Sequence, residues 1–267
     1  MKNPISKWIL GGLLLLLLFV GQALALEWRD SPALTQVFAQ AGVPGTFVLY
    51  DVERDLLLGH DRTRAQTRYV PASTFKIAHS LIGLATGAVS SVDEVFAYDG
   101  KPRFLKSWER DMGLREAIKL SNVPVYQELA RRIGLARMRE QLTPLGFGNG
   151  QVGEVVDQFW LRGPLAISAV EQTQFLARLA QGRLPLSSAI QAQVRQISLL
   201  EQGDGWTLYG KTGWATSVKP GIGWWVGWLE RDGRLYSFAL NMPMEDLADA
   251  NKRVELGKAS LHALGLL

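Results

Sequence analysis

Val70-Pro71-Ala72-Ser73-Thr74-Phe75-Lys76 divides this chain into two textures. Short strand-like runs lie before it, and from Phe75 to about Leu200 the pattern is helical. Ser73 and Lys76 stand at i and i+3 of a predicted helix start, so the hydroxyl and the amine share one face. Serine is a weak nucleophile until a base removes its proton, and a lysine kept neutral by burial is such a base. The two-residue pattern is common and decides nothing alone. His79, one turn beyond Lys76, can border the same face but reads as an ordinary helix side chain.

On the N-terminal side, residues 45–51 and 56–59 read as two strands around a polar turn. A short helix precedes them, capped by Asp30 or Ser31 and stopped by Gly42. On the C-terminal side, residues 125–133 keep apolar side chains at helical spacing and end at Gly134, read as a left-handed stop. Ser168 followed by Glu171 is a capping box opening a helix through Leu179. Strand texture returns at residues 207–213, 223–230 and 235–242, and a closing helix spans about 246–264. Strands at both ends around a helical middle predict an α+β fold: an antiparallel sheet flanked by helices, with a helical lobe over about residues 80–200. The cleft between the lobes is the expected site.

The first 25 residues read as an export signal: Lys2 and Lys7, an apolar run from Trp8 to Val20, and Ala23-Leu24-Ala25 as a cleavage site. The apolar run is short for a spanning helix, which leaves residues 26–267 as one exported, periplasmic folding unit without a membrane segment. Removing two lysines lowers the formal charge from +4 to +2. That near balance, with no basic stripe, argues against nucleic acid. The chain has no cysteine, so disulfides and thiolate zinc sites are excluded and the fold rests on its apolar core. Its three histidines form no ligand pair, and no metal or bound cofactor is expected. Nine tryptophans can fill a core as readily as a subunit interface, so oligomeric state is not readable.

Two further polar motifs follow Ser73 and Lys76 in order. Ser121-Asn122-Val123 lies between one helical run over 114–120 and another beginning near Pro124. A hydroxyl held there can relay a proton, although Ser and Asn before Pro also make an ordinary helix cap. Lys211-Thr212-Gly213 lies on a strand, where amine and hydroxyl can bind a carboxylate and the glycine can admit a substrate backbone. Taken alone, it reads by default as a solvent-facing strand lysine beside a turn.

The ordered set resembles the penicillin-recognising serine enzymes, whose Ser-x-x-Lys and Lys-Thr-Gly signatures are known. Within that superfamily it resembles the class D (OXA-type) β-lactamases, and among them the OXA-50-like branch. The class D features are Val123 in place of Asn, Phe147-Gly148-Asn149 at the family's Tyr-Gly-Asn, and Asp157-Gln158-Phe159-Trp160-Leu161 before Gly163. Gly223-Trp224-Trp225-Val226-Gly227-Trp228 and Lys252-Arg253-Val254-Glu255-Leu256 also fit.

The resemblance implies a hydrolase that opens the ring of penicillins and related small molecules. Ser73 would be the nucleophile. Lys76 would carry a carbamate made from carbon dioxide or bicarbonate and act as general base, in a pocket of Val123, Trp160 and Leu161 with the Trp160 indole donating to it. Ser121 would pass a proton to the lactam nitrogen. The N–H groups of Ser73 and Trp214 would form the oxyanion hole, and Lys211, Thr212 and Arg253 would face the substrate carboxylate beside Gly213. Phe147 departs from the family's tyrosine, which the resemblance reads as a change of packing. Two other readings share these residues: a small penicillin-binding transpeptidase, and a sensor domain that is acylated and stays so.

Overall fold

The computed structural model describes residues 26–267; the expected export signal over 1–25 lies outside the described residues. Seven strands form one sheet: β1 (Glu27–Asp30), β2 (Thr46–Asp51), β3 (Leu56–His60), β4 (Leu199–Gly203), β5 (Trp206–Ala215), β6 (Ile222–Arg231) and β7 (Arg234–Pro243). Their spatial order is β1-β3-β2-β7-β6-β5-β4. The pairing is antiparallel except that β1 runs parallel to β3, so the expected antiparallel sheet is in fact mixed at one edge.

The first helix, α1 (Pro32–Ala41), starts where Ser31 accepts the Leu34 N–H and stops at Gly42 in the left-handed region at φ 61°. It packs with the last helix, α10 (Lys252–Ala263), on one face of the sheet. That layer buries Phe47, Leu49, Trp225, Leu229 and Phe238. The alternate residues Val48, Trp224, Val226, Trp228 and Ala239 point to the opposite face and join the core of the helical lobe. Both faces are therefore covered, which is why β6 reads as a continuous apolar run rather than an alternating one. Gly257 of α10 lets this helix sit against the sheet: a Cβ there would lie 2.0 Å from the Trp225 ring.

The middle of the chain supplies α2 (Arg62–Gln66), α3 (Lys76–Ala85), α4 (Leu114–Lys119), α5 (Val123–Ile133), α6 (Leu135–Leu145), α7 (Phe159–Arg162), α8 (Ala169–Ala180) and α9 (Ser188–Ile197). The Ser168–Glu171 capping box opens α8 as the sequence implies. This helix packs on β2, β6 and β7, so it belongs to the sheet's covering although it falls inside the stretch expected to form the helical lobe. Gly134 is not a left-handed stop: at φ 79° and ψ 157° it turns the chain straight from α5 into α6. The closing helix is also divided, with a 3-10 turn at Leu247–Ala250 before α10 begins at Lys252.

Candidate active site

Ser73 sits in a 3-10 turn, Ala72–Phe75, that runs directly into α3. Ala72 is held at φ 49°, a left-handed conformation that costs a non-glycine residue energy and persists only where the surroundings enforce it. Those surroundings can be named. Trp224 Nε1 donates to Val70 O at 3.0 Å, Thr74 Oγ1 donates to Pro71 O at 2.8 Å, and Gln172 Nε2 of α8 donates to Thr74 Oγ1 at 2.8 Å. Tyr69 and Ile167 exchange backbone hydrogen bonds, each 2.9 Å, just upstream. The turn is thus tied to the sheet, to α8 and to the loop after α7.

Lys76 is completely buried, and its Nζ donates to Ser73 Oγ at 2.7 Å, to Ser121 O at 3.0 Å and to Ser121 Oγ at 3.2 Å. Burial, with the nearby charge of Lys211 adding to it, drives its pKa well below the ordinary lysine value. No carboxylate is among these contacts. Ser121 lies between α4 and α5 at φ 54°, a second left-handed non-glycine position. The cap at this junction is Asn122, whose Oδ1 accepts the Val125 N–H at 3.1 Å, which leaves the Ser121 hydroxyl directed at the lysine. Trp108 Nε1 donates to Leu120 O at 2.9 Å and fixes the same junction from outside.

Beneath the lysine is an aromatic wall. Trp160 is fully buried, its ring 6.0 Å from Phe75 and 4.9 Å from His79, the residues flanking Lys76 along the chain and one turn on. Its Nε1 is a buried donor with no partner among the described residues. Such an orphan is costly, and an acceptor added to the neighbouring lysine would be a partner for it. A buried neutral amine is also the form that combines with carbon dioxide, so the donor set and the lysine both fit a carbamate. His79 is likewise buried without a partner at either ring nitrogen, and burial, then the Lys76 charge, push its pKa down to about 3. It is a neutral wall of the lysine pocket, bordering the site rather than serving as an ordinary helix side chain.

Phe147 is buried, edge-on to Phe75 at 5.3 Å and to Phe175 at 5.0 Å. The ring that replaces the family's tyrosine thus packs on the residue preceding Lys76.

Along β5, Gly213 corrects the expected reason for its glycine. A Cβ there would meet Pro71 O at 2.9 Å and Thr74 Cγ2 at 3.0 Å. The strand is closed against the Ser73 turn, so a side chain is excluded by the protein itself. Lys211 is 5% exposed and folds back along its own strand, donating to Thr212 O at 2.9 Å and Thr212 Oγ1 at 3.2 Å. Burial, then the Arg253 charge, lower its pKa to about 7. Arg253 reaches from α10 to donate to Gly213 O at 2.7 Å, and burial lowers its own pKa to about 10.

A cleft of about 850 Å³ opens above this arrangement, lined by Ser73, Val123, Leu161 and Trp214 together with Phe104, Trp108, Gln127, Gln158, Arg162, Thr216 and Ser217. Lys76 and Trp160 are fully buried, and neither they nor Ser121, Lys211, Thr212, Gly213 and Arg253 are part of its lining. The Trp214 indole is turned to Met244 O, to which it donates at 3.1 Å. A second cavity of about 490 Å³ shares Trp108 and Gln127 with the cleft but contains neither Ser73 nor Lys76. The lining residues Phe104, Trp108, Gln127 and Arg162 carry no motif, and only their tertiary placement reveals them.

Comparisons with known proteins agree with this geometry. The penicillin-binding protein transpeptidase domain family matches over residues 32–262. The chain is 38% identical to the β-lactamase OXA-5 of Pseudomonas aeruginosa, over 95% of this chain and 96% of that protein. It is 41% identical to the β-lactamase OXA-48 of Klebsiella pneumoniae, over 83% of this chain and 84% of that protein. Among solved structures, the class D β-lactamase FUS-1 (OXA-85) of Fusobacterium nucleatum superposes with a TM-score of 0.87 at 43% identity, covering 90% of this chain and 100% of that one. The coverage reaches from the Ser73 turn through the strand of Lys211 to the last helix, and on it this chain belongs to the class D β-lactamases.

Proposed function

We propose that this protein is an exported serine hydrolase that opens the β-lactam ring of penicillins and related molecules through an acyl-enzyme on Ser73. The observation that carries the proposal is the contact of 2.7 Å between Ser73 Oγ and the wholly buried, carboxylate-free Lys76. A neutral amine there is placed to accept the hydroxyl proton as Oγ attacks the lactam carbonyl. The ring C–N bond breaks as the ester forms, and the lactam nitrogen takes a proton through Ser121, whose hydroxyl is 3.2 Å from the same amine. The N–H groups of Ser73 and Trp214 hold the developing oxyanion. Water then attacks the ester and releases the opened acid.

Carbon dioxide bound to Lys76 as a carbamate would supply a carboxylate base for both halves of the reaction. Trp160 Nε1 would hold it, and Val123 and Leu161 would keep bulk water off it. Lys211, Thr212 and Arg253 bind the carboxylate of the substrate once the bonds that Lys211 and Arg253 now donate to the carbonyls of Thr212 and Gly213 exchange for it. Secretion rests on the basic start, apolar run and small-residue cleavage site before Leu26. No helix among the described residues is long and apolar enough to cross a membrane.

Purified residues 26–267 are expected to hydrolyse a chromogenic cephalosporin with many turnovers per chain, and activity is expected to fall when carbon dioxide is stripped and to return with bicarbonate. One equivalent of product followed by arrest would replace hydrolase with a sensor or transpeptidase. Full activity without carbon dioxide would remove the carbamate.

A further inference from the structure

Arg162 ends α7 one residue after Leu161 and is the only charged side chain that lines the cleft among the described residues. The rest of the lining is aromatic, aliphatic or neutral polar: Phe104, Trp108 and Trp214, Val123 and Leu161, Gln127 and Gln158, with Ser73, Thr216 and Ser217. No aspartate or glutamate faces it across the cleft. Its guanidinium makes no ion pair or hydrogen bond with any described residue, in a chain where Arg68, Arg103, Arg110, Arg115, Arg131 and Arg132 all pair with acids.

The backbone that carries Arg162 is fixed. Its N–H donates to Gln158 O at 2.9 Å, and Asn149 holds the next residues by donating to Pro164 O at 2.9 Å and accepting from Ala166 N at 3.1 Å. The charge therefore stands on an anchored wall, and its five donors are free. It stands at the end of α7 on the cleft lining, whereas Lys211 and Arg253 belong to β5 and α10 and are not part of that lining.

We infer that Arg162 is a specificity-determining residue that recognises a second anionic group, a carboxylate or sulfonate, on the side chain of a β-lactam whose ring carboxylate goes to Lys211 and Arg253. The inference rests on the proposed reaction and adds the substrate class that the cleft favours: dianionic rather than monoanionic β-lactams. An arginine suits this, because its planar fork binds a carboxylate through two parallel hydrogen bonds.

The test compares benzylpenicillin with its α-carboxy analogue, two substrates that differ by one carboxylate, in the parent and in Arg162→Ala, Arg162→Lys and Arg162→Glu. The ratio of kcat/KM, dianion over monoanion, is expected to fall about fivefold in Arg162→Ala and further in Arg162→Glu. Arg162→Lys, which keeps the charge but not the planar fork, should give a ratio between those of the parent and Arg162→Ala. The change should sit in KM and shrink with added salt, since the pair is near solvent. An equal ratio in all four proteins overturns the inference. If the parent forms acyl-enzyme without turnover, the hydrolase reading fails, and the same ratio taken from acylation rates still decides the role of Arg162.

Discussion

Lys76 and Lys211 are both buried lysines, close enough for the charge of one to act on the other, yet their surroundings treat the side-chain nitrogen differently. Lys76 contacts only two hydroxyls and a carbonyl, with the Tyr126 ring centroid 5.3 Å from Nζ and the Phe75 and Trp160 rings around it. Lys211 lies on a strand, folded onto the carbonyl of the residue beside it. Burial is the main cause of the lowered pKa at both, and a cation is the second cause at both: Lys211 acts on Lys76, and Arg253 on Lys211. Burial lowers all three bases, Arg253 to about 10, Lys211 to about 7 and Lys76 well below the ordinary lysine value. Arg253 lowers Lys211 and Lys211 lowers Lys76, so the same fold holds two lysines of depressed basicity side by side.

The sharpest way to break this contrast is to remove each lysine in turn. Lys76→Ala is expected to lower kcat/KM by about a thousandfold or more, because both proton-transfer steps lose their base. Lys76→Met, which keeps the volume against Phe75, should lose as much activity while retaining the thermal midpoint more fully. Lys211→Ala should instead raise KM by about tenfold to a hundredfold, the worth of a charge-assisted hydrogen bond, with kcat falling less. Equal damage to kcat from both substitutions would mean that the two lysines act as one unit.

A smaller effect comes from pH. Lys211 is protonated below its pKa of about 7 and binds a carboxylate only in that form. KM for a penicillin should therefore rise by about tenfold as the pH is raised from about 6 to about 8. Lys211→Arg should remove the rise, because a guanidinium stays charged across this window. Stability moves the other way. Between about pH 7 and 10 the unfolded chain still holds a proton on residue 211 where the folded one has lost it, so folding gains stability as pH rises through that window. Steady-state kinetics across the window check the first sign, and thermal midpoints of the parent against Lys211→Met check the second.

Much of this was legible in the sequence, and the failures have physical causes. Ser73, Lys76 and Ser121 converge because helix spacing and a helix junction are local properties. The strands β5, β6 and β7 announce themselves through long apolar and aromatic runs. The edge strands do not: β4 is exposed along its length and β1 is a polar Glu-Trp-Arg-Asp run, so neither carries an alternating pattern. Ala72 and Ser121 adopt left-handed conformations with side chains that give no hint of it. The glycine at 213 was readable as a close approach, but which partner approaches depends on Pro71 and Thr74, far away in the chain. The neutral charge of His79 and the unpaired charge of Arg162 depend wholly on what tertiary structure puts around them.

The least effect is expected where the chain departs from its family, at Phe147. This ring is 1% exposed and meets Phe75 and Phe175 edge-on. Restoring the hydroxyl with Phe147→Tyr places an O–H among packed aromatic side chains, where an unmatched polar group costs about 1–3 kcal/mol. In a domain of this size that is a fall of roughly 3–10 °C in the thermal midpoint. Turnover should change by less than about threefold, because Phe75 stands between this ring and the lysine pocket and no described hydrogen bond of Lys76 or Ser73 involves residue 147. A midpoint that stays level or rises would show that the hydroxyl finds a partner. If kcat then shifted by tenfold, residue 147 would act on the lysine pocket through Phe75, the ring it shares with Trp160 and His79.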